Sequence, residues 1–187
     1  MRTKTAALAL SLLLAPASVL AQADPHAHHA KEAAAPALAA TAAPLPSNEA
    51  IPPDADGAKA ALAKSPRHGE WVDLPLADGT KLLTWVVYPE SKAKAGVVVV
   101  IHEIYGLTDW VRGVADQLAE DGFVALAPDL LSGLGPNGGG TEALGADVTK
   151  TIRTLTPEQV AARLDVVRDY ALKLPAASGK SASVGYC

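Results

Sequence analysis

One cysteine stands in the whole sequence, Cys187, which excludes a disulfide framework. Basic residues are outnumbered: 16 Lys and Arg against 20 Asp and Glu leave a formal charge of −4, which argues against a nucleic-acid partner. The glycine-rich stretch Ser132–Thr141, with Gly133, Gly135, Gly138, Gly139 and Gly140, is closed by no Gly-Lys-Ser/Thr and does not match a dinucleotide fingerprint. It therefore reads as a flexible surface loop rather than a phosphate cradle. His102-Glu103 opens like a zinc-protease motif, but position 106 is Gly where the second histidine is required. The longest β-branched run, Val97–Ile101, is too short to span a bilayer. What remains, 49% hydrophobic and 19% charged residues, is ordinary for one soluble domain.

The two ends of the first third read differently from the rest. Met1–Ala23 has Arg2 and Lys4 at its start, a short apolar core over Ala6–Leu14, and Ala21-Gln22-Ala23 as a small-x-small cleavage site, with Val19-Leu20-Ala21 as a nearby competitor. This pattern predicts a secretory signal peptide, hence an exported protein, periplasmic or secreted, with no membrane attachment after cleavage. No cysteine lies near the site to carry a lipid anchor. Residues 24–66 are rich in Ala and Pro and poor in large apolar side chains, so burial cannot offset their ordering entropy. A disordered or loosely helical linker is expected there. It contains His26, His28 and His29, which lack an acidic or cysteine partner at ligand spacing and read as a solvated cluster rather than a metal site.

From Arg67 the chain reads as an ordered α/β domain, 67–187. Trp71–Leu76 and Lys81–Tyr88 flank the Asp78-Gly79 turn signal and predict a hairpin, placed at a sheet edge because Pro75 cannot donate to a ladder. Gly96 is followed by five β-branched residues, Val97–Ile101. A short, continuously apolar run of this kind is a strand buried on both faces, as in parallel sheets. His102 and Glu103 then fall at its carboxyl end, where open α/β sheets place ligands. Thr108 is a candidate N-cap for a helix whose apolar face is Val111, Val114, Ala115, Leu118 and Ala119, ended by Gly122. Phe123–Ala127, stopped by Pro128-Asp129, completes a βαβ unit. Thr156-Pro157-Glu158-Gln159 opens a second helix with a capping box, and Val160, Leu164, Val167, Ala171 and Leu174 form its stripe. Gly179-Lys180 turns into a last short strand over 181–186.

Gly185-Tyr186-Cys187 follows that strand in the place where α/β-hydrolases carry a nucleophile on a strained elbow, whose glycines make room beside it. Taken alone, Gly-x-Cys fits a buried structural cysteine as readily. His102 reads as a packed, hydrogen-bonded imidazole, and Glu103 either as a catalytic carboxylate or as a bond to loop amides.

Val98–Gly106, Ala127-Pro128-Asp129-Leu130 and Val184–Cys187, in that order, resemble successive landmarks of the dienelactone hydrolase family over about Trp71–Cys187. The resemblance implies a three-layer α/β-hydrolase-type sheet, incomplete because only the N-terminal half of the fold is covered. It implies hydrolysis of an ester or lactone, a small-molecule substrate, and no cofactor. Cys187 matches the nucleophile, Glu103 the carboxylate that contacts the resting cysteine, and the backbone N–H of Ile104 one oxyanion donor. Family members bind a substrate carboxylate with an arginine; Arg153 stands nearest but its surroundings do not match, and it is left unassigned.

The family's later Asp and His have no counterpart here, since His26, His28, His29, His68 and His102 all precede Cys187. The expectation is the front part of a longer hydrolase. The competing reading is a non-catalytic exported α/β binding module; a nucleotide-binding domain is disfavoured by the missing phosphate motif. Without the family's later Asp and His to activate the thiol, the 187-residue chain alone should release product from an activated aryl ester no faster than buffer does. A product burst that Cys187→Ser abolishes overturns this expectation.

Overall fold

The structure is a computed structural model and describes residues 51–187. The signal peptide over 1–23, the histidine cluster and most of the 24–66 segment lie outside the described residues. Among the described residues the elements run α1 (Ala55–Lys64), β1 (Gly69–Pro75), β2 (Lys81–Val87), β3 (Ala95–Ile101), α2 (Asp109–Glu120), β4 (Val124–Pro128), the one-turn helices α3 (Thr141–Leu144) and α4 (Val148–Thr151), α5 (Pro157–Ala171) and β5 (Ala177–Gly185).

The strands form one sheet in the order β1-β2-β4-β3-β5. The hairpin β1/β2 is antiparallel and joins β4 antiparallel, with Thr84 opposite Pro128. β3 is parallel to β4 on one side and to β5 on the other. The valine run therefore lies inside the sheet and the hairpin puts β1 at an edge, as the sequence predicts. Side chains alternate along β3. Val97 and Val99 join Leu82, Val86, Leu126, Val167 and Ala171 in a core beneath α5. Val100 joins Val87, Val111, Val114, Ala115, Ala125 and Ala127 beneath α2. Helix, sheet and helix thus make three layers, and a strand apolar on both faces is what such a middle layer demands.

The helix ends follow their local chemistry. The Thr108 side chain accepts the Val111 N–H at the start of α2, and Gly122, just past its end, has φ +94°. Thr156 and Gln159 form a complete capping box on α5. In the hairpin turn the Asp78 carboxylate accepts the Thr80 N–H at 2.8 Å and Gly79 takes φ +84°.

Three expectations need correction. Order begins before Arg67: α1 occupies the end of the expected linker, capped by Asp54, whose side chain accepts the Gly57 N–H. Alanine is the strongest helix former, and here small residues allow close packing. Ala58 is fully buried, and at Gly113 of α2 an added Cβ would stand 3.6 Å from Pro53 and 3.9 Å from Ala58. Asp116 of α2 fixes the segment by accepting from Ser65 Oγ and Arg67 Nη2, each at 2.6 Å. Second, the Gly179 turn lies within β5 rather than before it. Gly179 has φ +81°, and the register jumps from Ala95–Ala177 to Val97–Ser181, a bulge in the strand. Third, the glycine-rich stretch is closed on itself rather than loose. Gly133 and Gly135 both donate to Gly139 O, at 3.1 and 2.8 Å, and the buried Arg163 donates to Ser132 O at 2.8 Å. Burial holds the Arg163 pKa below its usual value, and the Asp78 and Asp129 carboxylates offset this only in part.

Leu126 is fully buried at the centre of the α5-side core. Leu126→Ala is expected to lower unfolding free energy by about 2–5 kcal/mol in urea denaturation. An unchanged midpoint and slope would show that this layer is not packed as described.

Candidate active site

The site begins where β3 runs out. His102 is 4% exposed, and its ring bridges two strand ends. The Leu130 N–H, just beyond β4, donates to His102 Nε2 at 3.1 Å. Nε2 therefore carries no proton, and the proton on Nδ1 is donated to Glu103 O at 2.8 Å. His102 is a packed, hydrogen-bonded imidazole, which agrees with the sequence reading.

Glu103–Gly106 forms a turn in which the Gly106 N–H donates to Glu103 O at 3.2 Å. The Glu103 Oε2 accepts the Tyr105 N–H at 2.6 Å, so one carboxylate oxygen holds the turn. Oε1 has no hydrogen-bond partner among the described residues. Ile104 is 41% exposed and Tyr105 61% exposed, so the turn presents its middle outward. Among the described residues no acceptor takes the Ile104 N–H.

The second strand end is that of β5. Gly185 stands opposite Ile101, and the Tyr186 N–H donates to Ile101 O at 3.2 Å. Glu103 and Cys187 therefore each lie two residues past a paired position on neighbouring parallel strands. Tyr186 packs edge-on against Trp110 in the first turn of α2, with ring centroids 5.0 Å apart. Cys187 is exposed. At Gly185 an added Cβ would meet Ile101 Cβ at 3.7 Å, an ordinary contact. Arg153 is exposed on a short turn before α5 and stays unassigned.

The profile of the dienelactone hydrolase family matches residues 82–187. The chain belongs to the dienelactone hydrolase family. A carboxymethylenebutenolidase of Pseudomonas putida is 30% identical over 103 residues, 52% of this chain and 42% of that protein. A Saccharolobus solfataricus protein assigned as a carboxymethylenebutenolidase is 43% identical over 54 residues, 29% of this chain and 20% of that protein. Among solved structures, a Klebsiella pneumoniae protein assigned as a dienelactone hydrolase aligns with TM-score 0.55 at 21% identity, over 65% of this chain and 50% of that one. A dienelactone hydrolase-like promiscuous phosphotriesterase from metagenomic libraries aligns with TM-score 0.51 at 26% identity, over 65% and 49%. The fold is that of the α/β-hydrolase neighbours, present in part. The chain spans 20% to 58% of the length of the curated relatives it matches.

Two residues beside the Glu103 turn were not singled out from sequence as site residues, Asp129 and Thr141. Asp129 is 3% exposed and accepts from Thr141, which in turn accepts from Leu107, just after the Glu103 turn. Their separations of 12 and 34 residues match no motif spacing; the one sequence signal is a charged residue directly after a buried strand.

His102→Phe would leave the Leu130 N–H without a partner and Glu103 O with the Gly106 N–H alone. A loss of about 1–3 kcal/mol is expected in urea denaturation. A stability equal to wild type would mean that the ring fills space and nothing more.

Proposed function

We propose that this domain supplies the nucleophile, the activating carboxylate and one oxyanion donor of an exported hydrolase that cleaves ester or lactone bonds. The observation that carries the reading is the Ile101–Gly185 register. It puts Glu103 and Cys187 each two residues past a paired position, at the carboxyl ends of two parallel strands, and such ends are where α/β sheets bind ligands. Family membership and the names of the relatives support the bond type.

The chemistry follows from the groups present. The Cys187 thiol passes its proton to a base, for which Glu103 Oε1 is the open carboxylate oxygen. The thiolate sulfur forms a bond to the substrate carbonyl carbon, and the carbonyl π pair moves onto oxygen. The Ile104 N–H, without an acceptor among the described residues, donates to that oxyanion. Collapse expels the alkoxide, which leaves as the alcohol, or as the tethered hydroxyl of an opened lactone, once it takes up a proton. Water then cleaves the thioester and regenerates the thiol. Met1–Ala23 directs the protein out of the cytoplasm in this reading.

One observation favours the alternative of a non-catalytic binding module: the Glu103 carboxylate already serves the Tyr105 N–H. Cys187 is the sole thiol in the sequence, so its chemistry can be read without interference. In the resting state, before a substrate calls on Glu103 as base, a carboxylate beside a thiol keeps it protonated, so Glu103→Gln is expected to speed alkylation of Cys187 at pH 7 by about two- to tenfold. An unchanged rate separates the two groups and favours the binding module. In the complete product of this reading frame, Cys187→Ala is expected to lower kcat/KM on aryl esters and lactones by about a thousandfold or more. Hydrolysis that survives the substitution overturns the assignment of the nucleophile.

A further inference from the structure

The glycine-rich stretch carries no phosphate motif, and the hydrolase chemistry above makes no use of it. Its last residues explain its composition. At Gly140 an added Cβ would stand 2.2 Å from Asp129 Oδ2, so only glycine lets the chain fold back onto that carboxylate. The next residue is then gripped at two points. The Thr141 N–H donates to Asp129 Oδ2 and the Thr141 hydroxyl donates to Asp129 Oδ1, each at 2.7 Å. Oδ1 also accepts the Leu131 N–H at 3.0 Å.

Having given its proton to Asp129, the Thr141 hydroxyl oxygen can only accept from other groups. It accepts the Leu107 N–H at 3.0 Å. The approach is close enough to require glycine again. Gly106 has φ +79°, and an added Cβ there would stand 2.3 Å from Thr141 Oγ1. The other end of the same turn is held through His102 to the Leu130 N–H. Two consecutive residues after β4, Asp129 and Leu130, thus fix both ends of the segment 103–107.

We propose that Asp129 and Thr141 are positioning residues for acyl transfer: a carboxylate–hydroxyl clamp, closed by the glycine-rich stretch, that holds the Ile104 N–H and the Glu103 carboxylate where the reacting carbonyl sits. This rests on the hydrolase reading of the Glu103 turn. The clamp matters because an oxyanion donor acts through preorganisation. A turn released at Leu107 is free to rotate its exposed middle away from the carbonyl, and a displacement of about 1 Å can cost a hundredfold in rate.

The test compares two variants in the complete product of the reading frame. Thr141→Val keeps the side-chain shape and removes the hydroxyl; Thr141→Ser keeps the hydroxyl. Amide exchange at Leu107 and steady-state hydrolysis of an aryl ester are the readouts. In Thr141→Val, Leu107 exchange is expected to quicken and kcat to fall, each by about tenfold or more, with KM within about twofold and the amides of β3 and β4 still protected. Thr141→Ser is expected to restore both. Unchanged exchange and kcat in Thr141→Val overturn the clamp, as does a defect that Thr141→Ser leaves in place. Should Thr141→Val fail to fold, Thr141→Ala with the same readouts decides. Faster Leu107 exchange in a protein whose wild type hydrolyses no ester upholds the clamp and removes the hydrolase reading. Hydrolysis that needs Cys187 but ignores Thr141→Val removes the clamp and keeps that reading.

Discussion

The pairing of β3 with a parallel neighbour on each side is the constraint on which the rest of the domain depends. Val97 and Val99 face one helical layer and Val98 and Val100 the other, so the strand can shift by one residue only by exchanging both sets of contacts. A period of two makes such a slip costly wherever both faces are buried. The register that results, Val97 against Val124 and Ile101 against Gly185, decides which residues emerge at the carboxyl end. His102 emerges beside Leu130, and Glu103 in step with Cys187. The site is therefore a consequence of the core, and a substitution deep under α5 can disturb it without touching it.

Much of this is legible in the sequence because it is local. Five β-branched residues after Gly96 cannot settle in a helix as readily as in a strand. Thr108 and Thr156 announce their helices through caps whose partners are three residues away. Glu103 and Cys187 stand out because a strand end in this fold class is where ligands bind. The illegible parts are those set by distant neighbours. Helix α1 has no bulky stripe, and its burial comes from packing on α2, far along the chain, where Pro53 and Ala58 lie against Gly113. The bulge at Gly179 depends on the pairing of β5 with β3, which local turn chemistry cannot reveal.

The glycine-rich stretch shows the same limit at the site itself. Composition gives mobility as the default reading of several glycines in ten residues. Here three of them serve close approach: Gly133, where an added Cβ would stand 2.4 Å from Thr80 Cγ2, Gly139, where it would stand 2.4 Å from Ala143 Cβ, and Gly140, against Asp129. A glycine chosen for contact and a glycine chosen for freedom look identical in sequence. They part only when the partner atom is known.

The turn over 103–107 is fixed at its ends and open in its middle. Its two anchors run to buried groups, His102 and Asp129, whose own polar atoms are committed to backbone partners and to Thr141. A buried polar network with its members satisfied is rigid, since any rotation leaves a donor or acceptor unpaired in a medium that penalises it. Between those anchors Ile104 and Tyr105 face outward. An amide that must meet developing charge needs this combination: a frame that cannot turn, and a donor that is not already spent within it. Glu103 occupies both roles at once, one carboxylate oxygen bracing the turn through the Tyr105 N–H and the other left open. The same carboxylate can therefore brace the turn around Ile104 and keep one oxygen available to another group, which neither a wholly buried nor a wholly exposed glutamate could do.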